Sequence, residues 1–66
     1  MINIPELKVR MIRNDMSAAK LASETGINID TLYGKLRSGR FNVEDAEKIA
    51  KALKFSKDDI CDIFFA

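Results

Sequence analysis

Residues 17–32 have the sequence SAAKLASETGINIDTL, and this stretch is the main basis for predicting the fold of the chain. Ser17 and Asn28 are favourable N-cap residues, and each precedes apolar residues at the three- and four-residue spacing of a helix. Gly26 stands between the two segments, where a left-handed residue commonly ends a helix. The stretch therefore predicts two short helices joined by a tight turn.

Two short helices with a glycine-containing turn form a helix-turn-helix, here at approximately residues 17–37. Leu21 and Ala22 on the first helix and Leu32 and Leu36 on the second lie where the two helices must pack. In DNA-binding proteins with this arrangement the second helix enters the major groove.

The start signal of these helices recurs along the chain as an apolar residue, a capping residue, and an apolar residue five positions after the first. It occurs at Met16-Ser17…Leu21, Ile27-Asn28…Leu32, Phe41-Asn42…Ala46 and Phe55-Ser56…Ile60. With Pro5 at the first position of another helix, the sequence predicts an all-α chain with helices at approximately 5–14, 17–25, 28–37, 43–53 and 56–64. Asp45 and Asp59 are placed to complete capping boxes.

The spacing of the apolar residues also predicts which sides of the outer helices are buried. The residues expected to face inward are Leu7, Met11, Ile12, Val43, Ala46, Ile49, Ala50, Leu53, Ile60, Ile63 and Phe64. Cys61 is expected to be a small buried or half-buried apolar residue.

The composition argues against an enzyme. The chain has 66 residues, no histidine, one cysteine and three scattered glycines, so it offers no histidine base, no metal cluster and no phosphate-cradling loop. We expect a single domain over residues 1–66 with no cofactor, metal or small-molecule substrate. The remaining class is a binding module.

The same counts bear on localisation. No apolar run approaches the roughly 20 residues that span a bilayer, and no signal-peptide pattern opens the chain. The single cysteine, Cys61, cannot form an internal disulfide. We therefore expect a cytoplasmic protein without a membrane partner.

Residues 21–32 carry a resemblance to a known family. Leu21-Ala22, Gly26-Ile27-Asn28 and Thr31-Leu32 resemble the Leu-Ala-x-x-x-Gly-Ile-Ser/Asn-x-x-Thr-Leu/Ile core of the phage repressor/Cro-type (XRE-like) helix-turn-helix. The segment 47–53 and the closing Ile63-Phe64-Phe65 are similar to that family's last two helices. The resemblance implies a five-helix, lambda-repressor-like domain that binds operator DNA, commonly as a dimer.

The resemblance places phosphate contacts at the first turn of the second helix and around the end of the third. The residues at these positions are Ser17, Lys20, Lys35, Arg37 and Arg40. Lys20 is informative because the dipole of the second helix disfavours a cation there unless an external phosphate binds beside it. The alternative for each is an ordinary solvated side chain. Ala18 stands where relatives often carry a phosphate-binding glutamine, so that contact is missing.

The resemblance places base-edge contacts at the outward positions near the start of the third helix. These are Asn28, Asp30, Thr31 and Tyr33, with Ile29 and Gly34 beside them. Asp30 fits a cytosine amine, but it equally favours the dipole of its own helix. Ile29 fits a thymine methyl group or a protein partner. Gly34 costs up to about 1 kcal/mol in mid-helix, which favours close approach of DNA or of a neighbouring helix.

Phe64 and Phe65 are adjacent, so they cannot both face one core. They are candidates for contacts within a homodimer, and the alternative is docking onto the chain's own core near Phe41 or Phe55.

The preferred hypothesis is a sequence-specific, Cro-like transcriptional repressor of phage or mobile-element type that binds a double-stranded operator. The alternatives are a helix-turn-helix that binds a protein, and a purely structural helical module. The net charge of +1 hides an asymmetry, since residues 1–40 carry +3 and residues 41–66 carry −2. The basic share lies with the helix-turn-helix, which permits DNA binding without requiring it.

Overall fold

The computed structural model describes residues 2–65, which form five α-helices and no strand. The helices are α1 (Ile4–Arg13), α2 (Ala18–Thr25), α3 (Ile29–Ser38), α4 (Val43–Ala52) and α5 (Lys57–Phe64). α2 packs against both α3 and α4, while α1 packs against α5. The predicted all-α, five-helix architecture is confirmed.

The helix starts follow the capping signals of the sequence. The side chains of Ser17, Asn28, Asn42 and Ser56 each accept a hydrogen bond from a first-turn backbone N–H of the helix that follows. The same role for Asn3, which accepts from the N–H of Glu6, was not predicted. α1 therefore begins at Ile4, and Pro5 occupies its second position, where a missing N–H is harmless because first-turn N–H groups have no partner within the helix.

The core is built from one or two turns of every helix. Its buried apolar residues are Leu7, Met11, Leu21, Ala22, Leu32, Leu36, Ile49, Ala50, Leu53, Ile63 and Phe64. α2, which packs against both α3 and α4, contributes the fully buried Leu21. This central position of α2 fixes the orientation of α3, whose outer side stays free.

Two residues that were expected to be buried are exposed. Ile12 is 77% exposed, because Leu7 and Met11 define the inward side of α1 and Ile12 lies about 100° further around the helix. Val43 is 73% exposed, because it belongs to the first turn of α4 and lines an open groove there. Both predictions were wrong for the same reason. The periodicity of apolar residues shows on which side of a helix a residue lies, but not whether another helix covers that side.

The end of α5 separates the two terminal phenylalanines. Phe64 is buried, with its ring centroid 6.3 Å from that of Phe55, whereas Phe65 is 74% exposed. Of the two candidate dimer contacts, only Phe65 presents its ring to the surface. Cys61 is exposed, contrary to expectation, because it lies outside the side of α5 defined by Ile63 and Phe64.

Arg10 ties α1 to α5. Its guanidinium lies 2.9 Å from a carboxylate oxygen of Glu6 and donates to Asp59 Oδ1 at 2.7 Å. It also lies 5.9 Å from the centre of the Phe55 ring, in a cation–π arrangement. Asp59 in turn accepts from the backbone N–H of Ser56 and so completes the predicted capping box. One carboxylate thus serves both the start of α5 and the contact with α1.

Acid should weaken this link. Hydrogen bonds from Ser56 and from Arg10 lower the pKa of Asp59 from 3.8 to about 2. A carboxyl group whose pKa is lower in the folded state stabilises the fold above its unfolded pKa, and that contribution disappears as the pH falls from about 4 towards 2. We expect the melting temperature to fall over this interval, and to fall less in Asp59→Asn. The same profile for wild type and Asp59→Asn would contradict the assignment; Asp58→Asn, on the exposed side of α5, is the control.

Candidate nucleic-acid interface

The turn between α2 and α3 is fixed by two residues. Gly26 has a φ of 76° and donates its N–H to the carbonyl of Ala22 at 2.9 Å, so it adopts the left-handed conformation that favours glycine. Thr25 Oγ1 donates to the carbonyl of Leu21 at 2.7 Å and accepts from the N–H of Ile27 at 3.3 Å. The role of Thr25 was missed in the sequence, where a hydroxyl residue directly before a helix-ending glycine was the available signal.

α3 has one buried and one open side. Leu32 and Leu36 face the core, while Tyr33, Gly34 and the residues before Leu32 are exposed and Lys35 is half-buried. We call the exposed group at the start of this helix the recognition face; it consists of Asn28, Ile29, Asp30, Thr31, Tyr33 and Gly34. The structure thus brings the predicted base-contacting residues together on one exposed surface.

The cap of α3 restricts what Asn28 can contact. Its Oδ1 accepts from the backbone N–H of Asp30 at 2.9 Å and from that of Thr31 at 3.3 Å. A carboxamide oxygen has two lone pairs, and both are used here. The Nδ2 amine keeps its two donors, so Asn28 is equipped to bind an acceptor but not to make the paired donor–acceptor contact that identifies adenine.

Gly34 lies in the middle of α3 on the exposed side. A Cβ atom built at this position would meet nothing within 4 Å among residues 2–65, apart from the helix's own backbone. Of the two explanations for this glycine, close packing of a neighbouring helix is therefore excluded for the part of the chain that the structure describes. Since glycine costs about 0.5–1 kcal/mol relative to alanine in a helix interior, the chain is less stable than it need be at this position.

Ser17 and Lys20 lie together at the start of α2. Ser17 Oγ accepts from the N–H of Lys20 at 3.1 Å, and both residues are exposed. The hydroxyl hydrogen of Ser17 remains available as a donor, and the first N–H groups of any helix have no partner within it. This end of α2 therefore presents donors and a cation to the same side of the molecule.

The cations near α3 divide into two groups. Lys35 Nζ lies 2.7 Å from Asp45 Oδ2 on α4, with only 25% of its side chain exposed. Arg37 and Arg40 are exposed, and neither takes part in an ion pair among residues 2–65; the same holds for Lys20. Of the predicted phosphate-binding residues, Lys35 is thus neutralised inside the domain and the other cations are not.

Asp45 differs from its expected role. Asn42 accepts from the N–H of Asp45 at 2.7 Å, but the carboxylate of Asp45 is directed to Lys35 rather than back to the cap, so the predicted capping box is only half formed. Asp45 is 8% exposed, and its Oδ2 makes no regular hydrogen bond within residues 2–65. The ammonium of Lys35 is what compensates this buried charge. The pair links α3 to α4 and could not be foreseen from spacing alone.

Other kinds of site find little support in the geometry. No cluster of three or more histidine, cysteine, aspartate or glutamate side chains within residues 2–65 is arranged to hold a metal ion. The helices in that range are all too short or too polar to cross a membrane.

Comparison with known proteins agrees with the geometry. A family model described as a Cro/C1-type HTH DNA-binding domain matches residues 6–65, which is nearly the whole chain. Comparisons with curated proteins and with solved structures give no match. Proteins of this family bind DNA through the helix-turn-helix and are typically not enzymes. With its five helices, its Gly26 turn and its exposed α3, the chain belongs to the Cro/C1-type helix-turn-helix DNA-binding family.

Proposed function

We propose that residues 1–66 act as one domain of a sequence-specific transcriptional regulator, a Cro-like repressor of phage or mobile-element type, which places α3 in the major groove of an operator. The observation that carries this proposal is the set of unpaired cations around the recognition face. Lys20, Arg37 and Arg40 are exposed near it and have no carboxylate partner within residues 2–65. Cations in this state favour a polyanion over a neutral partner.

In this arrangement the phosphate contacts come from Ser17 and Lys20 at the start of α2 and from Arg37 and Arg40 at and after the end of α3. Lys35 keeps its structural role, because moving it to a phosphate would leave the buried Asp45 charge uncompensated. The proposed phosphate-binding residues are therefore those expected from the sequence without Lys35.

The recognition face supplies the base contacts. Asn28, with its oxygen used by the cap, donates to an acceptor such as guanine O6 or N7 or thymine O4. Asp30 accepts from a cytosine amine, and Thr31 and Tyr33 contact the neighbouring base edges. Ile29, which is 37% exposed, packs on a thymine methyl group. Four different chemistries side by side favour recognition of a defined sequence.

A homodimer completes the proposal. A groove of about 570 Å³ between the loop before α4 and the end of α5 is lined by Val43 and Phe65, both of which are largely exposed. Two copies joined through Phe65 would place their α3 helices in successive major grooves, about 34 Å apart. A palindromic operator matches such a pair.

The test is DNA binding measured across salt concentrations. With the DNA that lies upstream of the chain's own coding sequence, we expect an affinity that falls steeply as salt rises, because each phosphate contact contributes about −0.9 to the slope of log K against log salt. Sedimentation of the complex gives the number of copies bound. No binding at low salt would overturn the proposal and favour the protein-binding alternative, to which the exposed Ile29 and Asp30 are also suited.

Gly34 offers a second and independent test. In Gly34→Ala the new methyl group meets no atom of a neighbouring element within 4 Å among residues 2–65, so we expect the free energy of unfolding to rise by about 0.5–1 kcal/mol. The same methyl group would enter the space between α3 and the groove, and an overlap costing 1–2 kcal/mol weakens DNA binding by about tenfold. Chemical denaturation and DNA titration measure the two effects. Ser23→Ala, on the exposed side of α2, is the control that changes helix propensity alone; a Gly34→Ala variant with unchanged affinity would remove Gly34 from the interface.

A further inference from the structure

A pocket of about 350 Å³ lies where α1, the beginning of α2 and the outer part of α3 meet. It is separate from the groove beside Phe65 and includes a residue, Lys8, for which the sequence suggested no role. Its lining residues are Lys8, Met11, Ala18, Tyr33, Leu36 and Arg37.

The charge of this pocket is one-sided. Two of its six lining residues are cations and none is acidic. Neither Lys8 nor Arg37 takes part in an ion pair within residues 2–65, whereas Arg10 and Lys35 are both neutralised by carboxylates. Two like charges that face one pocket repel each other, and an anion between them converts that repulsion into attraction.

The remaining lining residues suit an anion with oxygen acceptors. Met11 and Leu36 are buried and make the base of the pocket apolar, which strengthens an ionic contact above it. Tyr33 is half-exposed and carries a phenolic hydroxyl that can donate. Tyr33 also belongs to the recognition face, so whatever occupies the pocket lies beside the ligand of that face.

We propose that this pocket binds one phosphodiester of the DNA backbone, and that Lys8 from α1 and Arg37 from α3 bind the same phosphate. The proposal rests on the proposed function and adds a contact to it. It also assigns to α1 a direct part in DNA binding. The chemistry of the pocket would accept free inorganic phosphate as well, so the test has to separate the two sources.

The variants are Lys8→Gln, Arg37→Gln and the double variant, with Lys57→Gln on α5 as the control. We expect Lys8→Gln to weaken binding to all DNA sequences by about fivefold at 0.15 M salt and to lower the salt slope by about 0.9. The melting temperature should not fall below that of the wild type, since Lys8 is exposed and has no ion pair among residues 2–65.

A duplex with a single uncharged methylphosphonate identifies the phosphate. We expect one position at which this replacement makes wild type, Lys8→Gln and Arg37→Gln bind equally, because both cations have then lost the same charge. The double variant should lose less affinity than the two single losses combined, since the shared phosphate is released only once.

The outcomes that would overturn the proposal are distinct from failure of the proposed function. If wild type binds DNA with a steep salt slope but Lys8→Gln binds equally well, the pocket is not a phosphate site and the proposed function stands. Different sensitive phosphates for Lys8 and Arg37 would likewise refute a shared site. If millimolar inorganic phosphate stabilises wild type but not Lys8→Gln while DNA affinity is unchanged, the occupant is free phosphate. If wild type does not bind DNA at all, both proposals fall.

Discussion

Leu32→Ala is expected to remove a large share of the stability of this domain. Leu32 is fully buried on the inner side of α3, next to the face that is proposed to contact DNA. Truncating a buried leucine to alanine costs about 2–5 kcal/mol. A chain of 66 residues is typically stable by only about 3–10 kcal/mol, at roughly 0.05–0.15 kcal/mol per residue. Denaturant unfolding followed by circular dichroism should show the loss directly.

Ile12→Ala is the matched control, because it removes a comparable amount of apolar side chain from a site that is 77% exposed. We expect this variant to change the free energy of unfolding by less than about 0.5 kcal/mol. Similar losses in the two variants would mean that α3 does not pack as described. DNA binding by Leu32→Ala should recover under conditions that restore its helix content, since the substitution leaves the recognition face itself unchanged.

The features that could be predicted from the sequence are those determined within a few residues. An N-cap acts on backbone N–H groups two or three positions away, so the starts of α2 to α5 were visible in Ser17, Asn28, Asn42 and Ser56. The tight turn at Gly26 is local in the same sense. These two kinds of signal were sufficient to predict four of the five helices; the first helix was predicted from Pro5, and the position of the recognition face from the family resemblance.

The features that escaped prediction depend on contacts between helices. Arg10 and Asp59 are 49 positions apart, and nothing in the spacing of either residue indicates their ion pair. From the sequence, Asp45 was expected to complete the capping box of α4. The ion pair between its carboxylate and Lys35 of α3 becomes visible only in the folded structure. The pocket at Lys8 is lined by residues of α1, α2 and α3, so it forms only when these three helices come together. For this reason Lys35 was wrongly counted from the sequence among the cations that are free to bind phosphate.

The cations without an internal ion pair are expected to account for much of the affinity for DNA. Replacing Lys20, Arg37 and Arg40 together by glutamine should lower the salt slope of DNA binding by about 3 × 0.9, or roughly 2.7. Extrapolated to 0.15 M salt, each lost contact costs about fivefold, so the affinity should fall by about 10²-fold for every DNA sequence tested. Titrations at several salt concentrations measure both quantities.

The decisive control changes the net charge by the same amount at a different place. Lys51, Lys54 and Lys57 are exposed in the acidic half of the chain, and their triple replacement by glutamine also removes three positive charges. If only total charge mattered, the two triple variants would lose equal affinity, and the helix-turn-helix would have no special part in binding. We expect the control to keep a slope close to that of wild type, because counterions are released only where a cation meets a phosphate. A net charge of +1 is therefore compatible with DNA binding provided that the cations near α3 remain free of internal partners, as Lys20, Arg37 and Arg40 do within residues 2–65.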